Sequence, residues 1–263
     1  RALGIGVYGN AAEAFPAALA MGWLPDIISE MCPCHDPLSY IPAGLTPEEA
    51  ADLRATDRGL YLEKARESMK RQLAAMNAYY RKGVRVFEYG TSIRKECRDA
   101  GMPEEQAMKI PGFVAAYIRP LFLLGRGPFR WTCLSGEAND LAVLDDLATE
   151  MFPHDKTTTK WINLARAHLP IEALPARVCY LGFGERKAFA LEVNRLIKNG
   201  KVAGPVAFSR DNLDSGSIVN PTFESEKMLD GSDLISDWPY LNALLNAAAM
   251  ADLVAIQANY SMG

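Results

Sequence analysis

No stretch of the 263-residue sequence approaches the roughly 20 consecutive apolar residues that a membrane span needs, so no membrane partner is expected. There is no excess of positive charge either: 28 Lys and Arg against 32 Asp and Glu leave a net charge of −4. Nucleic-acid binding asks for a basic face, so no nucleic-acid partner is expected. The five cysteines are odd in number, which argues against a secreted disulfide framework and for a reducing, cytoplasmic setting. The opening is not expected to be a signal peptide: Arg1 leads into Ala2-Leu3-Gly4-Ile5-Gly6-Val7, which reads as a buried strand. An initiator methionine is absent and the pattern begins midway, so the sequence reads as a piece of a longer protein. What is present, 49% hydrophobic and 23% charged, is an ordinary globular composition, enough for one large domain or two smaller ones.

The opening reads strand, turn, helix: Ala2 to Tyr8, Gly9-Asn10, then Ala11 to Met21. Two prolines within Cys32-Pro33-Cys34-His35-Asp36-Pro37 forbid regular helix there and predict a loop. Thr46-Pro47-Glu48-Glu49 has the form of a capping box. It starts a helix expected to run to Tyr80, broken near Gly59. Val84 to Glu88 is the next strand, followed by a short helix through Arg98. Alternating strands and helices imply a parallel sheet with ligands at the strand ends. From Ile110 prolines and glycines accumulate, so a loop-rich span to Gly136 is expected, with a domain boundary near Lys109. Helices are expected over Asn139–Glu150 and Lys160–His168. A second α/β run follows: strand Ala176–Phe183, helix Glu185–Lys198, strand Pro205–Ser209, a polar turn over 210–217, a helix from Asp237 to Ala251 and a strand over Leu253–Gln257.

The candidate chemistry is open when each motif is weighed alone. Cys32-x-Cys34-His35-Asp36 offers soft and hard ligands, but a zinc site favours C-x-x-C and a second Cys/His cluster is lacking. The blander readings are a rigid loop whose cysteines pack, or one whose backbone lines a ligand. Gly9-Asn10-Ala11-Ala12 and Gly182-x-Gly184 each join a strand to a helix, where backbone N–H groups can hold a phosphate. Neither is a full G-x-G-x-x-G, and a plain tight turn explains both as well. Cys179 alone reads as an inert core thiol. Arg130, beside aromatics, can grip a carboxylate through its planar fork, or lie on the surface. Among the later aspartates most serve as caps.

Taken together, local strings in order and at near-family spacing resemble urocanase (urocanate hydratase). They are Gly9-Asn10-Ala11-Ala12, His35-Asp36-Pro37-Leu38, Tyr40-Ile41-Pro42-Ala43-Gly44, Phe87-Glu88-Tyr89-Gly90, Tyr117-Ile118-Arg119-Pro120, Gly127-Pro128-Phe129-Arg130-Trp131, Leu174-Pro175-Ala176-Arg177, Leu213-Asp214-Ser215-Gly216-Ser217 and Asp230-Gly231-Ser232-Asp233 with Ser236-Asp237-Trp238-Pro239. The resemblance implies an α/β fold: the C-terminal part of a Rossmann-like NAD-binding domain over 1–109, and a urocanase-like α/β core over 110–263. It implies tightly bound NAD⁺ used as an electrophile without net redox, so that water adds across the acrylate of a small imidazole substrate. It further implies a homodimer.

Carried over by position, Asn10, Ala11, the loop Met31-Cys32-Pro33-Cys34-His35, Tyr40, Ile41, Tyr89 and Ser261 are implied cofactor contacts. Cys179 falls on the family's active-site cysteine. Arg130 is the expected partner of the substrate carboxylate, and Asp214 a candidate for proton transfer or positioning. The chain departs from the family at Met31-Cys32-Pro33-Cys34, at Thr91-Ser92 and at Gln257-Ala258-Asn259-Tyr260-Ser261. Pocket changes of this kind alter specificity more readily than reaction type, so a ring-modified urocanate, such as thiourocanate or its S-methyl form, is the expected substrate. The alternatives are an NAD-linked dehydrogenase on the same frame, and a zinc or binding protein using Cys32, Cys34 and His35.

Overall fold

The computed structural model describes residues 3–89, 92–118, 120, 121, 124–210 and 237–255. The chain divides into two compact units, Arg1–Ala116 with Ala255–Gly263, and Tyr117–Val254.

In unit 1, helix α1 (Ala11–Ala20) follows Asn10, whose side chain accepts from the Ala12 N–H. Helix α2 (Pro47–Thr56) begins with the complete Thr46/Glu49 capping box. Asp57 ends it and caps the 24-residue α3 (Arg58–Arg81), accepting from the Leu60 N–H at 2.9 Å. The break thus falls two residues before Gly59. Along α3 an apolar stripe of Tyr61, Ala65, Met69, Leu73, Met76 and Tyr79 is fully buried, at the spacing a helix packed on one face requires. Strands β1 (Ile27–Glu30) and β2 (Arg85–Glu88) pair in parallel, with Ile28 opposite Val86 and Glu30 opposite Glu88. Two short helices, α4 (Ile93–Asp99) and α5 (Glu104–Ala107), follow.

The first expected strand is not formed. Residues 3–8 have no strand conformation, and Leu3, Ile5, Val7 and Tyr8 are exposed. An isolated apolar run becomes a strand only beside a neighbour that completes its hydrogen bonds, and β1 and β2 pair with each other. The change of sequence texture at Ile110 also differs from the break between units. Ile110 is fully buried in the unit 1 core, and Gly112 bridges Glu88 in parallel, which keeps this stretch with β2. A π-helical turn over Val114–Ile118 follows.

Unit 2 is built on an antiparallel sheet of order β4-β3-β5: β3 (Gly127–Cys133), β4 (Ala176–Leu181) and β5 (Val206–Arg210). Helices α6 (Ala138–Met151), α7 (Lys156–His168), α8 (Glu185–Lys198) and α9 (Asp237–Ala248) complete it. The span expected to be loop therefore holds the central strand. Pro128 is tolerated because it pairs only with Tyr180 of β4, one step before the β5 pairing begins at Phe129. There a missing N–H leaves no gap between two ladders. Trp131, Cys133, Cys179, Leu181 and Phe189 form the buried core, with Trp131 and Phe189 ring centroids 4.7 Å apart. At the expected last strand, Leu253–Ala255 is not strand, and 256 and 257 lie outside the described residues. Among the described residues no helix is long and apolar enough to cross a membrane.

Candidate functional site

The cofactor candidates of unit 1 gather at the carboxyl ends of β1 and β2, where open α/β sheets bind ligands. After Glu30 the chain runs as a zigzag: Met31, Pro33 and His35 are exposed, Cys32 is half-buried and Cys34 fully buried. The inward residues are held from beneath. Glu30 Oε1 accepts from the Cys32 N–H at 2.5 Å and from Cys34 Sγ at 3.8 Å. Gln72 on α3 donates to Cys32 Sγ at 3.3 Å and accepts from the Tyr40 hydroxyl at 2.8 Å. The following turn is closed by Asp36, which accepts from Ser39 Oγ at 2.7 Å and the Leu38 N–H at 3.1 Å. The Ser39 hydrogen bond, against a smaller opposing effect of burial, holds the Asp36 carboxyl below its usual range.

Asn10 ties the amino end of α1 to the same region, donating from Nδ2 to the Ile41 carbonyl at 2.7 Å. Ala11 beside it is half-buried and Ile41 exposed. Tyr89, just past β2, donates its N–H to the Glu30 carbonyl at 3.1 Å, and its ring lies 4.5 Å from that of Phe113. Asn10, Ala11, Met31 to His35, Tyr40, Ile41 and Tyr89 thus belong to one hydrogen-bonded neighbourhood. Ser261 lies outside the described residues.

Neither glycine turn is an open phosphate cradle. The Ala12 N–H is already satisfied by Asn10 Oδ1. At Gly182-Phe183-Gly184, the Gly182 N–H donates to Glu185 Oε2 at 2.5 Å, and a Cβ on Gly182 would meet that oxygen at 2.9 Å. The protein's own carboxylate takes the place of an anion. Nor does Cys32-Cys34-His35 converge on a metal: Cys34 is buried on Glu30 while His35 is exposed. Among the described residues no group of three or more His, Cys, Asp or Glu could hold an ion.

The sulfurs are poor reagents. Burial, followed by the negative charge of Glu30, pushes the Cys32 thiol up to about 11 and Cys34 higher still. In unit 2, Cys179 is 2% exposed, and burial, then Asp145, pushes its thiol up to about 12. A protonated thiol is not a nucleophile. Cys179 pairs with Phe129 across the sheet, and Arg130 with Val178. Partners in register share a face, and successive residues alternate. Cys179 therefore lies on the helix-covered face, and the exposed Arg130 on the other. The structure does not bring these two candidates together. Asp214 lies outside the described residues.

Sequence reasoning missed the buried polar residues. Glu30 and Glu88 are 1% and 0% exposed at neighbouring strand ends. Glu88 is paired with Arg94 of α4, and its Oε1 has no hydrogen-bond partner among the described residues. Tyr61 donates to the Tyr40 carbonyl at 3.1 Å, and Ser68 Oγ accepts from the Ala43 N–H at 2.9 Å. The available signal was periodicity: Glu30 and Gln72 occupy positions where β1 and α3 otherwise call for apolar side chains.

Two clefts lie elsewhere: one of about 430 Å³ between α1 and α3, lined by Pro16, Leu19 and Arg71, the other of about 340 Å³ around Asp145, Arg166 and Arg177.

The sequence matches the urocanase Rossmann-like domain family over residues 1–117 and the urocanase C-terminal domain family over residues 120–263. With matches that follow one another along nearly its whole length, the chain belongs to the urocanase family.

Proposed function

We propose that this protein is a hydro-lyase that adds water to the acrylate of urocanate or a ring-modified urocanate, with NAD⁺ held at the carboxyl ends of β1 and β2. The observation that carries this reading is the gathering there of every described residue that the family resemblance assigns to the cofactor. The exposed side chains there suit a dinucleotide as contact surface. Exposed Met31, Pro33, His35 and Ile41 offer contact area, and Tyr89 an aromatic surface. Bound NAD⁺ would supply an electron-poor pyridinium ring that draws electron density from the imidazole acrylate.

The chain's own groups would do the rest. Arg130, exposed on β3, would bind the substrate carboxylate through its guanidinium fork. Cys179, at the family's active-site position, would remain a neutral thiol packed behind the strand that carries Arg130, on the opposite face of the sheet, and would position that strand rather than touch the substrate Arg130 holds. Asp214 would hold or move a proton. The preference for a thio- or S-methylthio-imidazole rests on the departures at Met31–Cys34, Thr91-Ser92 and Ser261. Of the two loop sulfurs only Cys32 is less than fully buried. A cytoplasmic homodimer completes the reading.

Steady-state assays of the full-length protein on urocanate, thiourocanate and S-methylthiourocanate test it. Expected are hydration without NADH absorbance, co-purifying NAD⁺ released on denaturation, and at least tenfold higher kcat/KM for a ring-modified substrate. NADH formation on turnover would replace the hydratase with the dehydrogenase alternative. A preference for plain urocanate would reject the substituent. Arg130→Met is expected to raise KM far more than it lowers kcat.

A further inference from the structure

The apolar core of unit 1 stops at a polar layer beneath the loop after β1. Glu30, Gln72, Tyr40 and Cys34 are each 3% exposed or less. Burying a carboxylate or an amide is unfavourable unless it is hydrogen-bonded, and here the bonds run to one target. Glu30 turns back on the chain two residues later, taking the Cys32 N–H and the Cys34 thiol. Gln72 uses both ends of its amide to join positions eight residues apart in the loop, Cys32 and Tyr40. The same side of α3 contributes Tyr61 to the Tyr40 carbonyl and Ser68 to the Ala43 N–H. Positions 61, 68 and 72 share a helical face, so one rigid element clamps the loop at three points. The outcome is the zigzag described above, with the even-numbered sulfurs fixed inside and Met31, Pro33 and His35 outside.

We infer that Glu30 and Gln72 are positioning residues that hold residues 31–40 in the shape that presents Met31, Pro33 and His35 to the nucleotide, with Cys32 and Cys34 as their attachment points. This rests on the reading of the strand ends as the nucleotide site. The cysteines of the loop are then internal fastenings, held by Glu30 and Gln72 beneath them.

The test uses the full-length protein with NAD⁺ removed. Amide hydrogen exchange over residues 31–36 and the NAD⁺ dissociation constant by calorimetry are measured for Glu30→Ala, Gln72→Met and the conservative Glu30→Gln, which keeps an acceptor oxygen. Expected for Glu30→Ala and Gln72→Met are exchange at least tenfold faster, confined to the loop, and a dissociation constant raised about tenfold. Glu30→Gln should stay within threefold of wild type in both. Unchanged loop exchange in Glu30→Ala and Gln72→Met overturns the inference, as does exchange that quickens equally along α3 and β2. Faster loop exchange with unchanged NAD⁺ affinity upholds the fastenings and overturns the placement of the nucleotide. Should Glu30→Ala fail to fold, Gln72→Met, which keeps the side-chain volume, decides by the same two measurements.

Discussion

In unit 1 most buried polar side chains collect at one end of the core, where two parallel strands stop, with Asn77, which bonds the Gln106 carbonyl, apart from them. In unit 2 they are scattered along the edges of an antiparallel sheet, each closing a local structural gap. Arg177 of β4 forms a bidentate pair with Asp145 of α6 at 3.1 and 2.7 Å. Asp140 accepts from Ser135 Oγ and from the Ala203 N–H. The outward carbonyls of β4 are also covered: Trp161 Nε1 donates to Val178 at 2.9 Å, and Arg126 donates to Tyr180 while pairing with Asp155. An edge strand with open carbonyls invites association, and these side chains remove that opening. The contrast teaches how to sort buried charge. Where several such groups converge on one loop they shape a surface for a ligand; where each serves one strand end or helix cap they stabilise the fold.

The contrast breaks first at Arg177. Arg177→Met leaves Asp145 buried without its partner, which is expected to cost about 3–5 kcal/mol, and Arg177→Met with Asp145→Leu far less. Urea denaturation of the single and double variants checks this. Unchanged stability with lost substrate binding would move the pair from scaffold to site.

Asp155 is the next test. It caps α7 through the Thr158 N–H at 3.0 Å and pairs with Arg126. Burial opposes its ionisation, but the Thr158 and Arg126 interactions outweigh it and hold the carboxyl below the usual range. Its folded-state value is therefore below the unfolded one. Its contribution is full above the unfolded value of about 3.9 and is lost as pH falls through the lower folded value. Asp155→Ala should cost about 1–2 kcal/mol at pH 7, and the difference from wild type should shrink below about pH 4. Thermal melts across pH 3–7 would show it.

Asn10 sharpens the other side. Asn10→Ala removes a cap worth about 1 kcal/mol and the tether to Ile41, so NAD⁺ affinity should fall by more than the loss of stability explains. Calorimetry beside melting curves separates the two, and an affinity that merely follows stability would make Asn10 scaffold. The smallest effect is chemical. Four cysteines are buried and Cys32 is half-buried. Alkylation of the native protein at pH 8 should therefore mark Cys32 first and slowly, the rate climbing as pH approaches about 11. Mass mapping of the labelled peptides reads this, and early labelling of Cys179 would count against its place in the core.

Local signals carried much of the fold. The capping box at Thr46, the Asn10 turn, the helix that includes α3 and the strands β2, β4 and β5 are each set by neighbours within a few residues, so they were legible. Strand β3 was not, because Pro128 and its flanking glycines look like loop until β4 and β5 lie on either side. The opening apolar run failed in the opposite way: its residues suit a strand, but strand pairing is a property of the partner. At the site, the resemblance named the loop and the helix start, while periodicity alone could have exposed Glu30 and Gln72 as polar residues in apolar positions.

The order of residues alone thus decided family, segment types and the set of candidate side chains, since propensity, capping and motif spacing are short-range. Only the folded chain decided which of them meet. Residues 30, 32, 34, 40 and 72 come together because α3 packs against β2, the strand that pairs with β1, and residues 130 and 179 are parted because a pleated strand sends neighbouring side chains to opposite faces. Register and packing are long-range quantities, and no single stretch of sequence contains them.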